Sequence, residues 1–252
     1  MYEFIIEVAG VRVLMKCRYE KTMQYMSDYI VSGESFDIVS SVSDDELASM
    51  INEVGASERN HYLVEITALY RPIAEAIPMR DCFVFHGAAI GYRDKAILFT
   101  APSGTGKTTH ISLWKKHLGE DVVIINGDKP IITAKNDKTT IHGTPWSGKE
   151  RWQNNISSEL SAICLVMRGT ENKIERVESG DILQELIYQT YVPKDSLSLV
   201  RTLELLDAVL SKVPVYRLYC DISKEAVKCS FECLTGLDFE KERIKENNSY
   251  ED

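Results

Sequence analysis

The segment Ala101 to Thr109, APSGTGKTT, constrains this chain more than any other. Its pattern is small-x-x-x-x-Gly-Lys-Thr, with Ala101 in the first place where glycine is common. Gly104 and Gly106 allow a tight turn whose consecutive N–H groups point inward. Lys107 supplies a point charge for β- and γ-phosphates, and the Thr108 hydroxyl is placed to ligate Mg²⁺. Lys95 to Thr100 reads as a strand, and Gly106 to Leu118 has a helical apolar period. A strand, a glycine turn and a helix N-terminus together make an anion site. The nucleotide-binding residues expected from this are Pro102, Ser103, Gly104, Thr105, Gly106, Lys107, Thr108 and Thr109.

The 252 residues, 44% apolar and 27% charged, suffice for one large α/β domain or one domain with a smaller appendage. A formal net charge of −9 argues against a nucleic-acid partner held by a basic face. Six cysteines are scattered without a C-x-x-C pair, so neither a zinc site nor dithiol chemistry is indicated. Free thiols of this kind suit the cytosol, and a cytoplasmic location is expected. Cys229 and Cys233, four apart on an expected helix, read as core-facing. Glu3 and Glu7 interrupt the first apolar stretch, so it is not a signal peptide, and no run is long enough to span a membrane.

Residues 1–80 read as a small N-terminal α/β extension. Two alternating runs flank Ala9-Gly10 as a hairpin, and Ser35 to Val42 holds a further strand. Ser43 to Glu46 forms a capping box that opens a helix to Val54. Residues 58–77 are helical, with a kink or restart at Pro72. Residues 81–237 form the main domain. Cys82 to Tyr92 reads as one strand, followed by strands over Lys95 to Thr100, Asp121 to Gly127, Lys129 to Lys135, Thr139 to Pro145 and Ser161 to Gly169. Helices are expected over 181–191 and 195–211, then a strand over Val213 to Asp221 and a last helix capped by Ser223. Residues 238–252 are charged and poor in apolar groups, which reads as a disordered tail.

Asp128 ends the strand that follows the loop's helix, where a carboxylate faces the phosphates from a neighbouring strand. It is a candidate for binding Mg²⁺, for accepting the proton of an attacking hydroxyl, or for both. A plain turn carboxylate before Pro130 is the alternative. The stretch Gly143 to Arg151 combines flexible backbone, Trp146, two cations and an acid. Lys149 and Arg151 are candidate phosphate ligands, and Trp146 a candidate wall for a base or an acceptor. A surface loop with a half-buried tryptophan is the alternative. Arg168, ending an apolar strand, is a candidate cation for the transferring group or a solvent-exposed cap. His110 is expected to pack on the loop's helix, and no spacing of histidines suggests a metal cluster.

His86-Gly87, a hairpin, an apolar strand into SGTGK, and a strand ending in aspartate occur in that order. Over roughly residues 82–170 this arrangement resembles the catalytic domain of HPr kinase/phosphorylase, whose relatives include phosphoenolpyruvate carboxykinases and kinases of modified-peptide gene clusters. The resemblance implies an α/β fold with a P-loop core of HPr kinase/phosphoenolpyruvate carboxykinase type and a mixed sheet. It implies that His86 lines the γ-phosphate side and that Asp128 takes the second place of the family's Asp-Asp pair. It also implies self-association, as related kinases commonly show. Gly127 stands where the first acid is expected, so Glu150 becomes a candidate replacement. Thr109 stands where HPr kinases carry glutamate, and the signature tied to phosphorylase activity is not recognisable.

The activity expected is transfer of the γ-phosphoryl group of magnesium-bound ATP, or GTP, to a hydroxyl of a protein, a peptide or a small molecule. Lys107 and Asp128, with His86 and Glu150, form the catalytic set, while Thr108 and Asp128 hold the metal. A nucleotide-binding accessory protein without turnover is the second reading, and a carboxykinase-type lyase the third.

Overall fold

The computed structural model describes residues 1–102 and 104–248; Ser103 and residues 249–252 lie outside it. The fold is mixed α/β, with eight α-helices and two sheets among the described residues. The N-terminal hairpin forms as the alternation requires: β1 (Tyr2–Val8) pairs antiparallel with β2 (Val11–Cys17), and every second residue of β2 is buried. Helix α1 (Glu20–Tyr25) follows, and β3 (Ile38–Ser40) adds in parallel to β2. Ser43 caps α2 (Asp44–Val54), accepting from the Glu46 N–H. Helix α3 (His61–Ala76) contains Pro72 and runs on without the restart anticipated there.

The single strand expected over Cys82 to Tyr92 is two. β4 (Cys82–Val84) and β5 (Ala88–Tyr92) are separated by Phe85 to Gly87 and lie far apart in the main sheet. Next come β6 (Lys95–Thr100), α4 (Lys107–Leu118), β7 (Val122–Asn126), β8 (Ile131–Lys135) and β9 (Lys138–His142). β10 (Ser157–Arg168) is longer than the apolar run suggests. β11 (Lys173–Val177) is an unanticipated edge strand. Helices α5 (Leu183–Gln189) and α6 (Ser196–Leu210), strand β12 (Val215–Cys220) and helix α7 (Lys224–Thr235) complete the pattern.

The strand order is β4-β8-β9-β10-β6-β5-β7, with β12 beside β10 and β11 beside β12. β6, β10 and β12 run parallel, which places the C-terminal ends of β6 and β10 side by side. Helices α4 and α7 pack on one face of this sheet, and α5 and α6 on the other. Although β4 and β5 are distant in that order, the links β4–β5 and β7–β8 cross side by side. Phe85 N–H donates to Pro130 O at 3.1 Å, and Gly87 N–H to Asp128 O at 2.9 Å.

The tail expected to be disordered from 238 instead carries α8 (Phe239–Asn248). Phe239 is fully buried against Phe231, and Glu242 accepts from the Tyr92 hydroxyl at 3.0 Å and the Arg93 guanidinium at 2.7 Å. One aromatic at the helix start anchors a segment that its charged remainder would not hold. The cysteine expectation also needs correction: Cys229 is half-buried and Cys233 exposed, so the helix turns this pair toward its rim.

Candidate active site

The turn between β6 and α4 carries Gly104 and Gly106 at φ +78° and +120°, conformations that a side chain would strain. Gly106 is also the N-cap of α4, so Lys107 begins the helix and the turn meets its positive end. A cavity of about 450 Å³ opens over this turn. Pro102, Gly104, Thr105, Gly106, Lys107, Thr108 and Thr109 line it, together with His86, Asp128, Lys149 and Glu150. Ser103 lies outside the described residues.

Lys107, His86 and Asp128 converge from three connections. The His86 ring bonds Gln189 Oε1 through Nδ1 at 2.8 Å. With that proton given to Gln189, Nε2 faces two partners of opposite demand. When protonated it donates to Asp128 Oδ1 at 3.2 Å; when not, it accepts from Lys107 Nζ at 3.4 Å. Backbone bonds fix the ring's position: His86 N–H donates to Gln189 O at 2.6 Å, and the Thr100 hydroxyl donates to His86 O at 2.9 Å. Gly87 is required by packing, since a Cβ there would sit 2.7 Å from Leu98 Cδ1 and 3.0 Å from Phe99 O.

Asp128 is oriented by a buried asparagine. Asn126 Oδ1 accepts from the N–H groups of Asp128 and Lys129 at 2.9 and 2.8 Å, while its amide donates to Thr144 O at 2.9 Å. The Asp128 carboxylate pairs with Lys129 on one side and His86 on the other. Burial favours the neutral acid, but the His86 hydrogen bond and the Lys129 ammonium outweigh it and hold the carboxyl well below the usual range. Burial lowers the Lys107 ammonium, opposed by Asp128 and Glu150.

Gly127 has a steric cause. A Cβ there would stand 3.0 Å from Ser147 O and 3.1 Å from Trp152 Cβ. The Gly127 N–H also donates to Trp152 O at 2.8 Å. The backbone of the 143–154 loop therefore occupies the space that an acid at 127 would need.

That loop folds over the site. Trp146 is a core residue rather than an open stacking platform: it is 5% exposed, packs against Tyr70 and donates Nε1–H to Ile66 O at 3.1 Å. Arg151, a candidate phosphate ligand in sequence, turns away to the N-terminal helices. Its guanidinium lies over the Tyr25 ring at 5.7 Å and donates to the Tyr62 hydroxyl at 3.1 Å. Lys149 is 90% exposed at the mouth of the cavity, 3.8 Å from Glu150. Arg168 reaches from the end of β10 to the glycine turn, donating to Gly104 O at 2.5 Å and Thr105 O at 3.2 Å. A second cavity of about 340 Å³ lies beyond it, lined by Thr109, Val166, Met167, Gly169 and Ile222. His110 packs as expected, bonding Ser230 and Trp114 in the core.

Sequence reasoning missed Gln189, which lies 103 residues from His86 and carries no local signal. It also missed the Asn126 turn, although Asn-x-Asp at a strand end is a recognisable turn composition.

The donor set fits Mg²⁺. The Thr108 hydroxyl has no hydrogen-bond partner among the described residues, and ionised Asp128 faces the same cavity. No group of three or more His, Cys, Asp or Glu side chains suited to a metal occurs among the described residues. Two hard oxygens suit a Mg²⁺ that takes its remaining ligands from phosphate and water rather than from an all-protein cage.

No helix among the described residues is long and apolar enough to cross a membrane. No family model and no curated protein matches the chain. Among solved structures, the Hpr(Ser) kinase/phosphatase from Coxiella burnetii is similar over 67% of this chain and 94% of its own, at 10% identity and a TM-score of 0.35.

Proposed function

We propose that this chain is a magnesium- and nucleotide-dependent phosphotransferase acting on a hydroxyl. The observation that carries the reading is that Lys107 Nζ and Asp128 Oδ1 lie 3.4 and 3.2 Å from His86 Nε2, at the mouth of a glycine turn that opens a helix. In this reading the triphosphate lies along the turn, with its charge on the N–H groups and Lys107. The nucleoside extends past Arg168 into the cavity beside Met167 and Ile222. Thr108 and Asp128 hold Mg²⁺, which when bound neutralises phosphate charge.

The acceptor oxygen bonds to the γ-phosphorus as the bond to the β–γ bridging oxygen breaks. The nucleoside diphosphate leaves with that electron pair, and the acceptor proton passes to Asp128. A carboxylate held so far below the usual range is a weak base. Phosphoryl transfer through a loose transition state asks little of a base, so Asp128 acts chiefly by orienting the hydroxyl. His86 and Lys129 flank the carboxylate and compensate the charge at the transferred group. The buried thiols suit a cytoplasmic setting.

One observation favours the accessory reading: Gly127 leaves a single acid in a family-like position that elsewhere holds two. Calorimetry with a non-hydrolysable ATP analogue and magnesium, followed by transfer from labelled ATP, separates the two. Lys107→Ala is expected to lose nucleotide binding. Asp128→Asn is expected to keep it while losing transfer by roughly 10²-fold, the scale of a misplaced acceptor. Binding without transfer to any acceptor leaves the accessory protein standing; absence of binding by a folded sample removes both.

A further inference from the structure

Asp128 lines two adjoining cavities. One opens over the glycine turn; the other is a cleft of about 360 Å³ between α1 and α3 of the N-terminal extension and the Asp128, Lys129 and 143–154 segments of the main domain. On the proposed phosphotransferase reading, we infer that this second cleft binds the acceptor. We further infer that the acceptor is a peptide segment bearing its hydroxyl beside an aliphatic or aromatic side chain, with carboxylates flanking it.

The wall comes from one helix stripe. Leu63, Ile66, Thr67 and Tyr70 of α3 stand at i, i+3, i+4 and i+7 and all line the cleft. Leu63 is a large apolar side chain left 37% exposed there. Tyr25 from α1 and Trp146 from the 143–154 loop extend the apolar surface. Tyr70 is 7% exposed, and its hydroxyl makes no hydrogen bond among the described residues. It lines the cleft together with Asp128, and the Lys129 ammonium lies 5.7 Å from its ring. An unpartnered hydroxyl beside the proposed base is suited to hold an acceptor.

The apolar stripe favours a peptide over a sugar. A polyol needs a partner for each hydroxyl. The cleft's own hydroxyls at Thr67 and Ser147 are committed, to Leu63 O at 3.1 Å and Gln153 Oε1 at 2.8 Å. Apart from the charged groups at its rim, what remains is aromatic and aliphatic surface with the phenols of Tyr25 and Tyr70.

The rim sets the charge of the partner. The chain carries a formal −9, yet Lys129, Lys149 and Arg151 gather at this cleft against the single lining carboxylate of Asp128, with which Lys129 pairs. Lys21 stands nearby, over the Tyr62 ring at 5.6 Å. Cations concentrated at one opening of an acidic protein select an acidic partner and steer its approach. Three ties hold the cleft's two halves together: Trp146 to Ile66 O, Arg151 to Tyr62, and Asn155 to Asp28 O at 2.7 Å. The N-terminal extension thus has a recognition role that its lack of obvious chemistry conceals.

The test uses the full chain and short fluorescein-labelled peptides with a central serine next to leucine or phenylalanine, flanked either by aspartates or by lysines. Anisotropy should show the acidic set binding at least roughly tenfold tighter than the basic set. Leu63→Glu should abolish this binding, and Lys149→Glu should erode the charge preference. Both positions are exposed, so circular dichroism should show the parent fold. Affinity for the ATP analogue should not change in Leu63→Glu. Equal binding of the two sets, binding unaffected by Leu63→Glu, or phosphorylation of glycerol or a hexose in place of any bound peptide would overturn the inference. Acidic peptides bound but never phosphorylated would instead count against the phosphotransferase reading and leave the cleft's selectivity standing.

Discussion

Placing an acid at position 127 should damage the protein rather than improve it. A Cβ added to Gly127 would stand 3.0 Å from Ser147 O, 3.1 Å from Trp152 Cβ and 3.4 Å from Trp152 O. Two of these neighbours are backbone atoms. The Trp152 carbonyl is also tied to the Gly127 N–H at 2.8 Å, so relief requires the two chain segments to separate by a few tenths of an ångström. Strain of this kind costs about 1–3 kcal/mol. Stiffening the unfolded chain returns roughly 0.4–1 kcal/mol. Gly127→Ala should therefore lose about 1–2 kcal/mol, which for a chain of this size is a fall in Tm of about 2–8 °C. Gly127→Asp should lose more, because its carboxylate would enter beside that of Asp128 and raise both acids. Melting curves of parent, Gly127→Ala and Gly127→Asp, with calorimetry of magnesium-ATP on each, decide the matter. If Gly127→Asp melts with the parent and binds magnesium-ATP more tightly, the loop has room that this packing denies, and the reasoning fails.

Two further expectations concern the core. Burial brings His110 down to about 4, against an ordinary value near 6.5, so the unfolded chain takes up its proton first. Stability should thus fall as pH drops from about 6.5 toward 4, by on the order of 3 kcal/mol, and His110→Gln should flatten this part of the urea-midpoint curve; unchanged curves would show that His110 does not drive it. Trp146→Phe should cost about 0.5–1.5 kcal/mol by removing the indole's hydrogen bond to Ile66 O, read from urea unfolding with the slope held constant; an unchanged midpoint would mean that this bond adds nothing to stability.

What was legible follows from range in sequence. The β1–β2 hairpin, the Ser43 and Ser223 caps and the glycine turn are local signals, and each forms where its residues require. Lys107 and Asp128 were nameable from the loop and the strand that follows it, His86 only from the resemblance, and the fold brings the three together. The break at His86 was not read because apolar runs flank His86-Gly87 on both sides. Only the crowding of Gly87 against Leu98 and Phe99 shows why the chain must cross there. Gln189, Tyr62 and Tyr70 reach the site from far along the chain, and nothing within a few residues of each distinguishes them from ordinary helix positions. Arg151 was misassigned for the same reason: its aromatic partners come from helices that sequence shows only as packing. The charged C-terminal segment was judged on average composition, whereas buried Phe239 and the bonds of Glu242 to Tyr92 and Arg93 anchor it.

The core that joins β1 and β2 to α3 also includes Cys82, Val84, Ile131 and Trp146. Trimming the chain at residue 80 to obtain a minimal catalytic fragment would therefore strip the support from beneath the lid itself. The indole would lose its carbonyl, Arg151 its aromatic seat, and the strands at that flank would meet solvent with apolar side chains. Anyone dissecting this protein should cut elsewhere, because its smallest workable unit starts at the first hairpin.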